Sequence, residues 1–257
     1  MKKINKKILS DVSYIVITIF IITALYEVVF LMVNNDFIVP DIKDIIKSVF
    51  NLLLSGKKFW KPFLFTLLRT LCGFALSFIF SLFLVIIYKF FKLSQKFVTI
   101  LISIFRATPT IAIILNLLFW TNSTIAPIII ACLVTLPQLY SSILESIDSF
   151  DKQITDMCHL YKVKDKEIFF KVYLPYVMPR TALTLCSNFS LTLKLIGSSE
   201  ALCSTLNSIG YLMKDASASF DPARLIAISL ISIATAIILE YSLKFVITKI
   251  WRIKWLK

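Results

Sequence analysis

Long apolar runs alternate along the chain with short stretches rich in lysine, serine and asparagine, and the runs have the length of membrane-crossing helices. A hydrocarbon core about 30 Å thick takes roughly 20 helical residues to cross, and a helix satisfies its own backbone groups there. The pattern therefore predicts spans at about 12–33, 63–88, 97–120, 124–144, 177–199 and 223–247. That is an all-α membrane protein with six transmembrane helices in a single domain, 1–257. Between the first two spans, Ile42, Ile45, Ile46, Val49, Leu52 and Leu53 recur at helical spacing after Pro40, which predicts a short helix on the outer rim. Gly56, Lys57 and Lys58 end it. Only about Thr121–Ser123 separates spans three and four, so these form a tight hairpin. Pro109, Pro127, Pro137 and Pro179 fall inside predicted spans and should kink them.

The longest polar connection, about 149–176 between spans four and five, is patterned rather than featureless. Ile154, Met157, Cys158 and Tyr161 share one helical face. A second short helix is expected to open at Asp165 as its N-cap, to present Ile168, Phe169 and Val172, and to stop before Pro175. Two amphipathic helices are more than a connection between spans needs.

Composition changes the picture in one respect, the partner class. The chain is 58% hydrophobic and only 17% charged, yet its net charge is +13. Such a charge would suit nucleic acid if it formed one basic face, but the lysines and arginines gather at 2–7, 89–96, 152–180 and 249–257. With the N-terminus inside, these segments are all cytoplasmic, as basic residues flanking membrane spans tend to be. The expectation is a multi-pass membrane protein with both termini in the cytoplasm, the bilayer as a partner and no nucleic acid. The basic head and apolar run at the N-terminus are read as an uncleaved first span, because the run is too long for a secretory signal.

Enzyme chemistry finds little support. The chain has four glycines and no glycine-rich loop ending in lysine and a hydroxyl residue, so it has no cradle for nucleotide phosphates. A single histidine, His159, and five cysteines without paired spacing offer neither a metal centre nor a disulfide framework. Charges inside the bilayer are costly, which singles out Glu27, Arg69, Arg106, Lys194, Glu200, Glu240 and Lys244. Glu240 and Lys244, one turn apart with the acid first, read as an ion pair. Arg69 reads either as reaching the outer rim or as lining a path. Arg69, Arg106, Asn116, Asn188, Lys194, Ser198 and Glu200 are the candidate substrate-pathway residues. A path so lined favours a polar or anionic solute.

The loop at 149–176 resembles the signature loop of binding-protein-dependent ABC importer permeases. That signature runs Glu-Ala-Ala, three residues, Gly, nine residues, Ile, one residue, Leu-Pro; here Asp156, Met157, Cys158, Lys162, Val172, Leu174 and Pro175 stand at the matching positions. Lys162 replaces the glycine that usually supplies a positive φ. Leu67-Leu68-Arg69 with Gly73-Phe74, Arg106-Ala107-Thr108-Pro109, and Glu200 with Ser208-Ile209-Gly210-Tyr211 further resemble the nitrate, sulfonate and taurine branch of type I permeases. The resemblance implies a transport subunit rather than an enzyme, with a cytoplasmic coupling helix in the loop. It implies a cytoplasmic ATPase dimer that holds the ATP and Mg, an external solute-binding protein and a second permease copy, most simply a homodimer. No cofactor is expected on this chain. Asp156, Met157, Cys158, Tyr161, Lys162, Val172, Leu174 and Pro175 are the implied ATPase-coupling residues. The rival readings are an ion-gradient-driven secondary transporter or channel, which leaves the loop unexplained, and a membrane scaffold or enzyme.

Overall fold

The computed structural model describes residues 2–33, 35, 38–91 and 93–255, and among them every regular element is helical. In chain order these are α1 Lys2–Val33, α2 Ile42–Leu54, α3 Lys57–Phe90, α4 Ser94–Ala107, α5 Thr110–Trp120, α6 Ala126–Asp148, α7 Lys152–Leu160, α8 Asp165–Ile168, a π-helical turn Phe169–Tyr173, α9 Leu174–Cys203, α10 Ile209–Ala218 and α11 Pro222–Trp255. Among the described residues, α3, α6 and α11 are each long and apolar enough to cross a membrane, and α4 with α5 makes a fourth crossing if that bent pair counts as one span. The described apolar part of α1, Phe20–Val33, is shorter than a crossing. α9 has the length, but Arg180, Lys194 and Glu200 interrupt its apolar run.

The core is a packed set of α3, α6 and α9, with α6 the most enclosed helix. Gly73 lets α3 approach α6: a Cβ there would lie 3.2 Å from Ala131 Cβ and 3.3 Å from Ile128 O. Towards the end that carries α7, Val85, Val98, Ile102, Leu136, Tyr140 and Ile143 form one apolar cluster. At the opposite end, Ile209, Ala216 and Ile228 pack α10 on α11 with Leu52 of α2. α2 forms as its spacing predicts, capped by Asp41, whose carboxylate accepts from Lys43 N at 3.1 Å. Its buried stripe is narrower than expected, since Ile46 and Leu53 remain exposed while Ile45 is buried.

Two expectations change. The span expected at 97–120 is broken into α4 and α5, which meet at 93°. Pro109 disfavours helical geometry at the residue before it; Thr108 is extended (φ −73°, ψ 123°), and the helix restarts at Thr110. What the sequence offers as a kink is a right-angled break. The helix opening at Asp165 also does not stop before Pro175. It passes through the π-helical turn into α9, with Pro175 in the first turn of that helix. Proline lacks an N–H and cannot continue an ordinary helical ladder, and a locally wider turn followed by a new first turn absorbs the defect.

Candidate functional site

The loop at 149–176 is built from local signals. Asp151 caps α7 by accepting from Gln153 N at 2.9 Å. At the other end Lys162 takes a left-handed conformation, φ +56°. Lys162 N donates to His159 O at 2.9 Å and Val163 N to Cys158 O at 3.1 Å. This pair of bonds is a Schellman closure, in which the left-handed position is normally a glycine. Lysine thus keeps the turn that the resemblance calls for, at about 1 kcal/mol of backbone strain.

Between these caps, α7 projects residues that the chain itself leaves uncovered. Met157 is 53% exposed, Leu160 83% and Tyr161 78%, while Asp156 is exposed and Cys158 half-buried. Beyond α7, Ile168 is buried, and Val172, Leu174 and Pro175 are half-buried. Lys171 pairs with Glu167 at 3.2 Å on the solvent side. Phe150, only 8% exposed, meets the rings of Tyr173 and Tyr176 edge-on, with centroids 5.0 and 5.2 Å away. Burial and the nearby Asp148 carboxylate push the Tyr173 phenol above its ordinary value. Lys89 of α3 forms an ion pair with Asp148 at the end of α6.

Of the intramembrane residues, Arg69 and Glu200 come together, 131 positions apart in sequence. Arg69 Nη1 donates to Glu200 Oε1 at 3.0 Å, Thr66 Oγ1 to Glu200 Oε2 at 2.8 Å, and Gly210 N reaches Oε2 at 3.5 Å. Ile209 N donates in turn to Thr66 Oγ1 at 3.0 Å, and Ser208 caps α10 by accepting from Tyr211 N at 2.9 Å. The carboxylate is fully buried, beside the N-terminus of α10, where the positive end of the helix dipole favours an anion. Gly210 permits this approach, because a Cβ there would sit 2.5 Å from Glu200 Cβ and 2.5 Å from Gly197 O. Arg69 therefore points into a polar knot of α3, α9 and α10 and does not reach for the outer rim.

The other candidates lie elsewhere. Arg106 reaches from α4 to Ser141 and, at 3.4 Å, to Pro137 O of α6. Asn188 donates to Thr184 O at 3.0 Å and Ser142 Oγ at 3.4 Å, joining α9 to α6. Asn116 is exposed on α5. Lys194 and Ser198, both exposed, line a cavity of about 240 Å³ with Thr66, Gly197, Ile209 and Ser232. Glu240 and Lys244 form their expected pair at 2.6 Å, and Ser187 also donates to Glu240 at 3.0 Å. Sequence reasoning missed Thr66 and Phe150. Thr66 sits one turn before Arg69, which was a usable signal; nothing local marked Phe150.

No curated protein matches the chain in sequence. The model of the family described as binding-protein-dependent transport system inner membrane component matches residues 73–252, a stretch that holds α6 to α10 and the loop. The chain belongs to this family. Among solved structures, the permease is similar to an amino acid ABC transporter with histidines, at TM-score 0.60 and 16% identity, covering 82% of this chain and 98% of that one. It is also similar to the MetNI methionine ABC transporter in inward facing conformations, at TM-score 0.55 and 17% identity, covering 77% of this chain and 98% of that one. A second crystal form of that transporter gives TM-score 0.52 at 17% identity, covering 78% and 95%. At such identities the likeness speaks for the fold. With the family assignment, it makes this chain the permease component of an ABC importer, a transport subunit with helices apolar enough to span a membrane.

Proposed function

We propose that the permease forms a translocation path for a small polar or anionic solute of the sulfonate, taurine, nitrate or vitamin-precursor type, as the branch resemblance implies, and that α7 couples this path to a separate cytoplasmic ATPase. The observation that carries the reading is a helix capped at both ends that leaves Met157, Leu160 and Tyr161 in solvent. Apolar side chains held out on a rigid, short helix are what a protein groove accepts in helix-in-groove recognition. In this reading α1 and α9 join α3, α4–α5, α6 and α11 as six crossings, with both termini in the cytoplasm of a bacterial inner membrane. Two copies of the permease enclose the path, an external solute-binding protein feeds it, and ATP with Mg is held on the ATPase dimer. ATP binding closes that dimer, α7 follows, and the spans pass from inward-facing to outward-facing; hydrolysis resets them.

Arg106, Asn116, Lys194 and Ser198 remain the candidates for contact with solute. Arg69 and Glu200 hold the wall in place behind them, because their charges are spent on each other. The reading is tested by disulfide trapping between Met157→Cys and cysteines placed along the groove of the co-expressed ATPase. An adduct whose yield responds to ATP is expected; absence of any adduct in every nucleotide state would overturn the assignment.

A further inference from the structure

α7 scarcely touches the membrane helices, and it hangs between residues 149–151 on one side and 161–164 on the other. A helix held only by two short connections needs a brace if it is to transmit a push instead of absorbing it. Something must tie the point where the chain leaves α6 to the point where it enters α9.

We infer that Phe150 is a positioning residue that supplies this tie. Its ring, wedged between Tyr173 and Tyr176, clasps the start of the segment to its end, so that α7 moves as one body with α6 and α9. The inference rests on the coupling reading given above. Phe150 is buried although Asp148, Asp151 and Gln153 beside it are exposed, and both of its ring contacts are edge-on, the favoured geometry for aromatic pairs. Both tyrosines lie on the far side of the loop, three positions apart, one on the π-helical turn and one on the first turn of α9. The wider turn thus serves two ends, accommodating Pro175 and bringing both rings to one side. Tyr176 Oη adds a long hydrogen bond to Ser149 O, 3.4 Å, across the same gap. The Lys89 pair with Asp148 then fastens this junction to α3, so all three core helices meet at the clasp. Burial pushes the Tyr173 phenol above its ordinary value, which favours the uncharged ring inside the clasp.

The test reads transmission at the far end of the molecule. In vesicles holding the permease with its ATPase, a maleimide would be used to label Leu206→Cys, an exposed position beside the outer knot, with and without ATP. The native cysteines would be replaced by serine, and trapping of Met157→Cys to the ATPase would be followed in parallel samples. In the parent, ATP should change the labelling rate at position 206. Phe150→Ala should still form the Met157 adduct and lose the nucleotide response completely, whereas Phe150→Tyr, which keeps the ring, should retain it. Should Phe150→Ala fail to assemble, Phe150→Leu, apolar but without a ring, is held to the same criterion. An alanine or leucine variant with the parent's response overturns the clasp and leaves the coupling reading standing. Failure of the parent itself to form the adduct overturns both.

Discussion

Around Glu200 the polar side chains have partners and there is no room for one more carbon; around α7, three large side chains stand in solvent and the backbone spends strain to keep them there. The first region is finished within the chain. The second is shaped for something outside it. The proposed coupling reading turns this difference into a division of labour, with the first set holding the bundle together and the second acting through a partner.

The largest effect should come from dividing the buried pair. Arg69→Met strands a buried carboxylate and should cost about 3–5 kcal/mol, read as a fall in thermal stability of the detergent-solubilised permease. The double variant Arg69→Met with Glu200→Met should recover much of that loss, since apolar pairs of similar volume can replace buried ion pairs. If the single and double variants are equally unstable, the knot is not an isolated pair. Next, Gly210→Ala forces a carbon against backbone and should cost about 1–3 kcal/mol by the same measurement. On the other side of the comparison, Lys162→Gly relieves the left-handed turn and should raise stability by up to about 1 kcal/mol in the same melts. Smallest of all on stability, Leu160→Ala and Tyr161→Ala should shift it by less than about 0.5 kcal/mol, yet abolish ATP-dependent trapping of Met157→Cys to the ATPase. Unfolding by either would make α7 part of the core and erase the contrast.

Much of this was legible in the sequence where the cause is local. Apolar runs marked α3, α6 and α11, and the i,i+4 spacing announced the Glu240–Lys244 pair. The loop spacing located the turn at Lys162, and the apolar stripe from Ile42 to Leu53 after Pro40 announced α2. What escaped is non-local or finely balanced. Nothing near Arg69 states that its partner lies on a helix far along the chain. Pro109 looks the same in a kinked helix and in a right-angled break, because neighbouring helices decide which of the two is stable. The passage from α8 through a π-helical turn into α9 defeats the usual rule that a proline ends what precedes it. The crossing count is limited in the same way, since the charges that interrupt α9 include Glu200, which its neighbours neutralise.

The knot also fixes where the molecule can hinge. Parting α3 from α9 near Thr66 would expose two opposite charges to a medium that solvates neither, so these two helices and α10 travel together like a single stave of a cask. Any aperture on that side must open along an edge of the stave, as beside α5, and never through its middle.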